Sequence, residues 1–308
     1  MDNIKKQLTL NNISLFCVYF FPISLVAGPF VAELLMNMVV IIFLYSCFVK
    51  KKWSFINTKF FKISFIFYLY IVLNSFISDY KSLILLKNIF YFRYGIFIIA
   101  VMYLIETNTH FIVKFFKILL LTILVIVIDG YIQFFTGQNI LGYSLTRPDR
   151  LSGFFNDELI IGAFLSKLLF LSIGLFLYCE KSLSKSDNFL VILTIFLTFM
   201  LIFLSGERAA LLLTIIGLTI ILVCLFRIKY LIFFLFLAFS VILISYNNVE
   251  IKKRHIDQTI IQTKPIKADG NFFDNFRYYG AIYNTAFNGF KEKKIFRSEE
   301  HTSELQSH

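Results

Sequence analysis

The sequence predicts an all-α polytopic membrane protein, on three observations: high apolar content, scarce charge, and apolar runs of helical length. Hydrophobic residues make up 58% of the 308 residues and charged residues only 16%. A soluble domain carries about 45–50% apolar and about 25% charged residues, so a water-facing surface cannot be built from this supply. With 40 Phe and 16 Tyr against 13 Gly and 4 Pro, disordered and collagen-like chains are excluded as well. Helices satisfy their own backbone hydrogen bonds in lipid, and the apolar runs lack the two-residue alternation of barrel strands.

Nine candidate spans follow in order, delimited by charge: 13–30, 31–49, 63–77, 89–105, 115–135, 158–178, 188–204, 209–226 and 231–246. About 20 apolar residues cross a bilayer, so the shorter runs imply short spans or longer, partly polar ones. The first run follows Lys5 and Lys6 and continues through Pro22 and Gly28-Pro29 into the second. No small-residue cleavage site interrupts it, which argues against a cleaved signal peptide. Lys50-Lys51-Lys52 closes the second run, and Lys59 and Lys62 precede the third. Residues 1–246 are expected to form the bundle, 247–296 part of an outer loop, and 297–308 a separate tail. That tail, Arg297 to His308, abandons the Phe/Ile/Lys bias of the preceding chain and resembles the conceptual translation of a sequencing adapter. It is expected to be a library scar on a shortened reading frame and is set aside from the functional argument.

Thirty basic residues stand against 19 acidic ones. In a membrane chain the first cause of such an excess is topology, because Lys and Arg gather in short cytoplasmic loops. With the N-terminus inside, those loops and the N-terminus hold Lys5, Lys6, Lys50, Lys51, Lys52, Lys59, Lys62, Lys114, Lys117, Lys181, Lys185, Arg227 and Lys229. The opposite short loops hold Lys81, Lys87, Arg147, Arg150 and Arg208. The bias predicts a multi-pass membrane protein with a cytoplasmic N-terminus, in contact with membrane lipids.

Ionisable residues near membrane depth mark candidate sites. Three stretches fall on the predicted outer side: Arg147-Pro-Asp-Arg150-Leu-Ser-Gly153-Phe-Phe-Asn156-Asp157, Ser205-Gly206-Glu207-Arg208, and Asn271 to Gly280 with Arg277. Arginine presents a planar fork of donors suited to phosphate oxygens, so its recurrence on one face points to a lipid-linked pyrophosphate. The plainer readings are loop arginines paired with Asp149 and Asp157, and a hairpin turn whose Glu207 pairs with Arg208. Asp129 lies late in the fifth run, either as an intramembrane acid or at the outer interface beside Gly130 and Gln133. Arg93, between Phe92 and Tyr94, reads as an interfacial residue that snorkels. The cysteines Cys17, Cys47, Cys179 and Cys224 form no CxxC and read as small buried hydrophobes. Neither His110 nor His255 belongs to a metal-spaced cluster, and no phosphate-cradling glycine motif is present. No cofactor, metal or nucleic-acid partner is expected.

At these residues the chain resembles the O-antigen ligase/polymerase family of bacterial envelope glycosyltransferases. Arg150-Leu-Ser-Gly153 is similar to that family's Arg-x-x-Gly segment before a span, with Asn156-Asp157 standing where Pro-Asn is usual. Ser205-Gly206-Glu207-Arg208-Ala-Ala is similar to its Gly-x-Arg-small turn, and Phe276-Arg277-Tyr278 through Ile295 to its outer-loop helix. The resemblance covers roughly residues 90–296. It implies a GT-C-like fold and an undecaprenyl-pyrophosphate-linked glycan as donor. Lipid A–core or a growing glycan is the implied acceptor. It implies pyrophosphate binding by Arg150, Arg208 and Arg277, and an outer-loop histidine lying beyond the end of this sequence, to which His255 does not correspond. A transporter or flippase of an anionic lipid-linked glycan would use the same arginines without chemistry.

Overall fold

The computed structural model describes residues 2–51, 53–77, 85, 88–180, 183–225, 254 and 280–292. It is all-helical, with no strand among the described residues. In order these are α1 (Asp2–Ala27), α2 (Pro29–Lys50), a 3-10 turn (Ser54–Asn57), α3 (Lys59–Ile77) and α4 (Phe92–Thr107). Then follow α5 (Phe111–Thr136), α6 (Ile161–Cys179), α7 (Lys185–Leu204), α8 (Arg208–Leu225) and α9 (Gly280–Glu292). Six of them, α1, α2, α3, α5, α6 and α7, are long and apolar enough to cross a membrane. The apolar part of α8, Arg208–Cys224, is shorter, and α4 has 16 residues. The ninth expected span, 231–246, lies outside the described residues, as do His255, Arg277 and the tail 297–308.

Helix ends follow local chemistry. The first two helices part at Gly28, whose φ of 132° no other residue adopts cheaply, and Pro29 opens the second with a preset φ. Gly137 ends α5 in the left-handed region, its N–H donating to the Gln133 carbonyl at 2.9 Å. Ser184 and Asp187 form a reciprocal capping box at the start of α7. Several helices begin before the apolar run does: α1 starts at Asp2 and α3 includes Lys59 and Lys62.

The chain divides into two compact units. One comprises residues 1–18, 33–108 and 260–308, and in it α3 and α4 meet through aromatic side chains: Tyr68 against Phe92, and Phe61 against Phe65 along α3. A cavity of about 500 Å³ opens between α2, the 3-10 turn and α4, among Phe43, Phe55, Ile99, Met102, Tyr103 and Glu106. Arg93 does not simply snorkel: its Nη2 donates to both carboxylate oxygens of Glu33, at 2.9 and 2.8 Å.

The other unit, residues 19–32 and 109–259, holds the core. Phe116, Leu119, Ile123 and Ile126 of α5, Leu165 and Leu169 of α6, and Leu201 and Ile202 of α7 are all essentially inaccessible. Lipid tails are as apolar as leucine, so close approach and hydrogen bonds, not water exclusion, must select this packing. The crossings show both. A Cβ on Gly130 would meet Leu201 at 2.5 Å, and one on Gly217 the Phe170 ring at 2.3 Å. Ser166 and Thr214 hydrogen-bond between α6 and α8 at 2.8 Å, and the Tyr131 hydroxyl donates to the Leu197 carbonyl. Bonds of this kind contribute about 0.6 kcal/mol each within a bilayer.

Candidate functional site

Within the second unit, the end of α5, the start of α6, the end of α7 and the start of α8 lie together. The 137–160 loop and the 205–207 turn therefore pack against each other there. Leu151 donates its backbone N–H to the Ser205 carbonyl at 3.3 Å. The loop is clamped from below by two polar residues one turn apart on α5, Asp129 and Gln133, both fully buried. Asp129 accepts from the Ile140 N–H at 2.9 Å and from the Asn139 side-chain amide at 3.4 Å. Gln133 Oε1 accepts from the N–H groups of Ser152 and Gly153, at 3.0 and 2.7 Å. Asn139 in turn donates to the Gly153 carbonyl and accepts from Leu141 and Tyr143. Asp129 is thus the foot of the loop, holding backbone donors that would otherwise be buried without a partner.

This clamp fixes a β-turn at Arg147–Arg150, closed by the Arg150 N–H to the Arg147 carbonyl at 3.2 Å, with Pro148 at the position where its φ is favoured. Arg150 Nη2 donates to the Leu159 carbonyl at 2.8 Å, and its Nε is buried without a hydrogen-bond partner. Arg150 does not pair with Asp157, whose Oδ2 lies 3.5 Å from the Asn156 amide.

The turn between α7 and α8 passes close beneath. Gly206 has φ 73°, and a Cβ there would stand 2.3 Å from the Asp149 carbonyl oxygen and 3.3 Å from Arg150 Cγ. Only glycine lets the loop carrying the arginines touch the turn that begins α8. Glu207 is not a partner reserved for Arg208. Its carboxylate reaches the start of α6, accepting the N–H of Gly162 at 2.7 Å and of Ala163 at 3.1 Å. It therefore satisfies two of the open donors of that helix and meets its positive dipole end. Gly162 admits it: a Cβ there would collide with Ser205 Oγ and lie 3.1 Å from the Glu207 side chain. Burial holds the Glu207 carboxyl above its ordinary pKa, opposed by those two N–H groups and by Arg150.

One participant, Arg254, does not stand out in the sequence, where it follows Lys252 and Lys253. Arg254 Nε donates to the Gly206 carbonyl at 3.1 Å, and its Nη1 lies 3.3 Å from Asp149 Oδ2. Asp149 Oδ1 also faces Arg147 Nε at 3.9 Å. Burial lowers the pKa of Arg254, Asp149 opposes that, and Arg208, Arg150 and Arg147 add to the lowering. Four guanidinium groups therefore share one electrostatic neighbourhood, among them the expected Arg150 and Arg208. The third expected arginine, Arg277, lies outside the described residues. No group of three or more His, Cys, Asp or Glu suited to a metal ion occurs among the described residues.

Known proteins add no name to this geometry: no family model, no curated protein and no solved structure matches the chain.

Proposed function

We propose that the arginine cluster binds the diphosphate of a lipid-linked glycan, and that the protein transfers that glycan from undecaprenyl pyrophosphate to lipid A–core or a growing polysaccharide. One observation carries the reading. Arg147, Arg150, Arg208 and Arg254 gather, and of the carboxylates among the described residues that lie with them, Asp149 and Glu207, the second is committed to the start of α6. The orphaned Nε of Arg150 is a donor that an anion would satisfy. In the reaction an acceptor hydroxyl oxygen attacks the anomeric carbon, and the bond from that carbon to the diphosphate oxygen breaks. The electron pair leaves with the diphosphate, and fixed guanidinium groups stabilise the charge it gains. The acceptor's proton passes to a base.

In this reading the chain is a GT-C-like inner-membrane protein with about nine spans and a cytoplasmic N-terminus, and the cluster faces outward. Arg277 joins Arg150 and Arg208 on the diphosphate. Arg208→Ala is expected to cut glycan transfer from purified lipid-linked donor by about 100-fold or more, with membrane insertion intact. Wild-type transfer by that variant would remove the basis of the assignment. Activity that required a sealed bilayer, with no conversion of donor in detergent, would assign translocation to the same arginines instead.

A further inference from the structure

We propose that the cavity between α2, the 3-10 turn and α4 binds an ethanolamine phospholipid, with Glu106 holding its ammonium head. The volume of about 500 Å³ falls in the range of small-molecule sites. The wall changes character along α4: Ile99 and Met102 are apolar, and Glu106 and Thr107 follow at the helix end. Over about 10 Å of helix axis the lining passes from hydrocarbon to carboxylate. An amphiphile whose chain points toward the middle of the helices matches that gradient. Phe43, packed against Phe55 and Tyr103 with centroids 5.5 and 5.8 Å apart, gives the chain an aromatic wall.

The polar end calls for a cation. Glu106 lies in the last turn of α4, where the helix dipole is negative and no basic residue is present. Among the described residues no cation pairs with it. The nearby threonines donate to carbonyls instead, Thr58 Oγ1 to Phe55 at 2.7 Å and Thr107 Oγ1 to Tyr103 at 2.8 Å. A primary ammonium brings both the missing charge and N–H donors for the carboxylate, whereas a quaternary ammonium brings charge alone. Both α2 and α4 end at this cavity, and the segment after α2 carries Trp53, 41% exposed, between the exposed Lys51 and Lys59. Tryptophan and lysine at helix ends mark the headgroup level of a bilayer. Those lysines offer countercharge to a phosphate, which a free amine would leave unused. Carboxylate and lysines together therefore suit a zwitterionic head, and the carboxylate disfavours an anionic one.

The test titrates the full chain in detergent with phosphatidylethanolamine, phosphatidylcholine and phosphatidylglycerol of identical chains, and reads the first bound lipid by native mass spectrometry. Phosphatidylethanolamine is expected to bind about fivefold more tightly than either of the others. Glu106→Gln should bring it down to their level, and Glu106→Ala should do the same, so a folding failure of one variant leaves the other to decide. Met102→Trp, which fills the apolar end, should weaken all three lipids together. Equal binding of the three by the wild type, or a preference that survives loss of Glu106, would overturn the proposal. Phosphatidylcholine bound as tightly as phosphatidylethanolamine would overturn the ethanolamine assignment. Decylamine bound as tightly as the phospholipid would assign the cavity to a free amine and overturn the lipid. Arg150, Arg208 and Arg254 belong to the other unit, so these outcomes stand apart from the transfer reading.

Discussion

Helices α7 and α3 have 20 and 19 residues and are both apolar, yet 56% of the spanning part of α7 is buried against 6% of α3. What separates them is the side chains offered at the crossings. Around α7 stand Gly130, Gly162 and Ser205, which let backbones approach and leave hydrogen-bonding groups within reach. Along α3 stand Phe61, Phe65 and Tyr68, and the contact with α4 is a ring pair, Tyr68 against Phe92 with centroids 6.2 Å apart. Gly95, the glycine of α4, meets nothing closer than Ser64 Cβ at 3.7 Å. In a solvent as apolar as the side chains, apolar content alone does not choose partners, whereas small residues and paired polar groups do.

That contrast can be broken most directly at its glycines. Gly206→Ala should cost about 3 kcal/mol, because the left-handed backbone and the Asp149 carbonyl both oppose a methyl group. Gly95→Ala should be neutral or stabilising by up to about 1 kcal/mol, since it only improves helix propensity. Unfolding midpoints of the two variants in detergent, measured side by side, test this. Equal losses would show that close backbone approach does not distinguish the units.

A smaller effect is expected from the polar anchors. Asp129→Ala strands the Ile140 N–H, while the Asn139 amide keeps the Gly153 carbonyl, and should cost about 2 kcal/mol. Glu33→Ala removes an ion pair whose carboxylate side chain is 47% exposed, and about 0.5 kcal/mol is expected after solvent screening. Denaturant titration of both variants would sharpen the comparison, and a Glu33 loss as large as that of Asp129 would reverse it.

The smallest effect is a pH dependence at Glu207. Its folded pKa lies above the ordinary 4.5, so as pH rises past 4.5 the unfolded chain releases its proton first. Stability from this group is therefore fullest below 4.5 and declines as pH climbs toward the folded value. Glu207→Gln should flatten that decline in melting curves recorded across the acidic range. A slope identical to that of the wild type would assign the pH dependence to another group.

Much of the helical order was legible in the sequence. The run ending in Ser205-Gly206 and the joint position of Arg150 and Arg208 follow from charge-bounded apolar runs taken in alternation, whereas the expected first span continues through Gly28-Pro29 to residue 30 and the helix in fact breaks at Gly28. The starts of helices were less legible. Backbone hydrogen bonding carries α1 back to Asp2 and α3 to Lys59, whatever the polarity of the residues it passes. At the site, Asp129 stood out but its task did not. The signal available was a second polar residue, Gln133, one turn further along the same helix. Arg254 offered less: nothing in a basic run distinguishes the one side chain that folds onto the Gly206 carbonyl.

Composition and spacing by themselves determined that this chain is helical, which stretches are apolar enough to span a bilayer, and that arginine recurs at one end of them. These are properties of single segments, fixed by local hydrogen bonding and by transfer out of water. Only the tertiary structure decided that Glu207 serves α6 rather than Arg208, that Asp129 and Gln133 hold the loop, and that Asp149 lies between Arg147 and Arg254. Each of those depends on which backbone atoms lie within about 3 Å across segments distant in sequence, and the order of residues along one segment does not encode that distance.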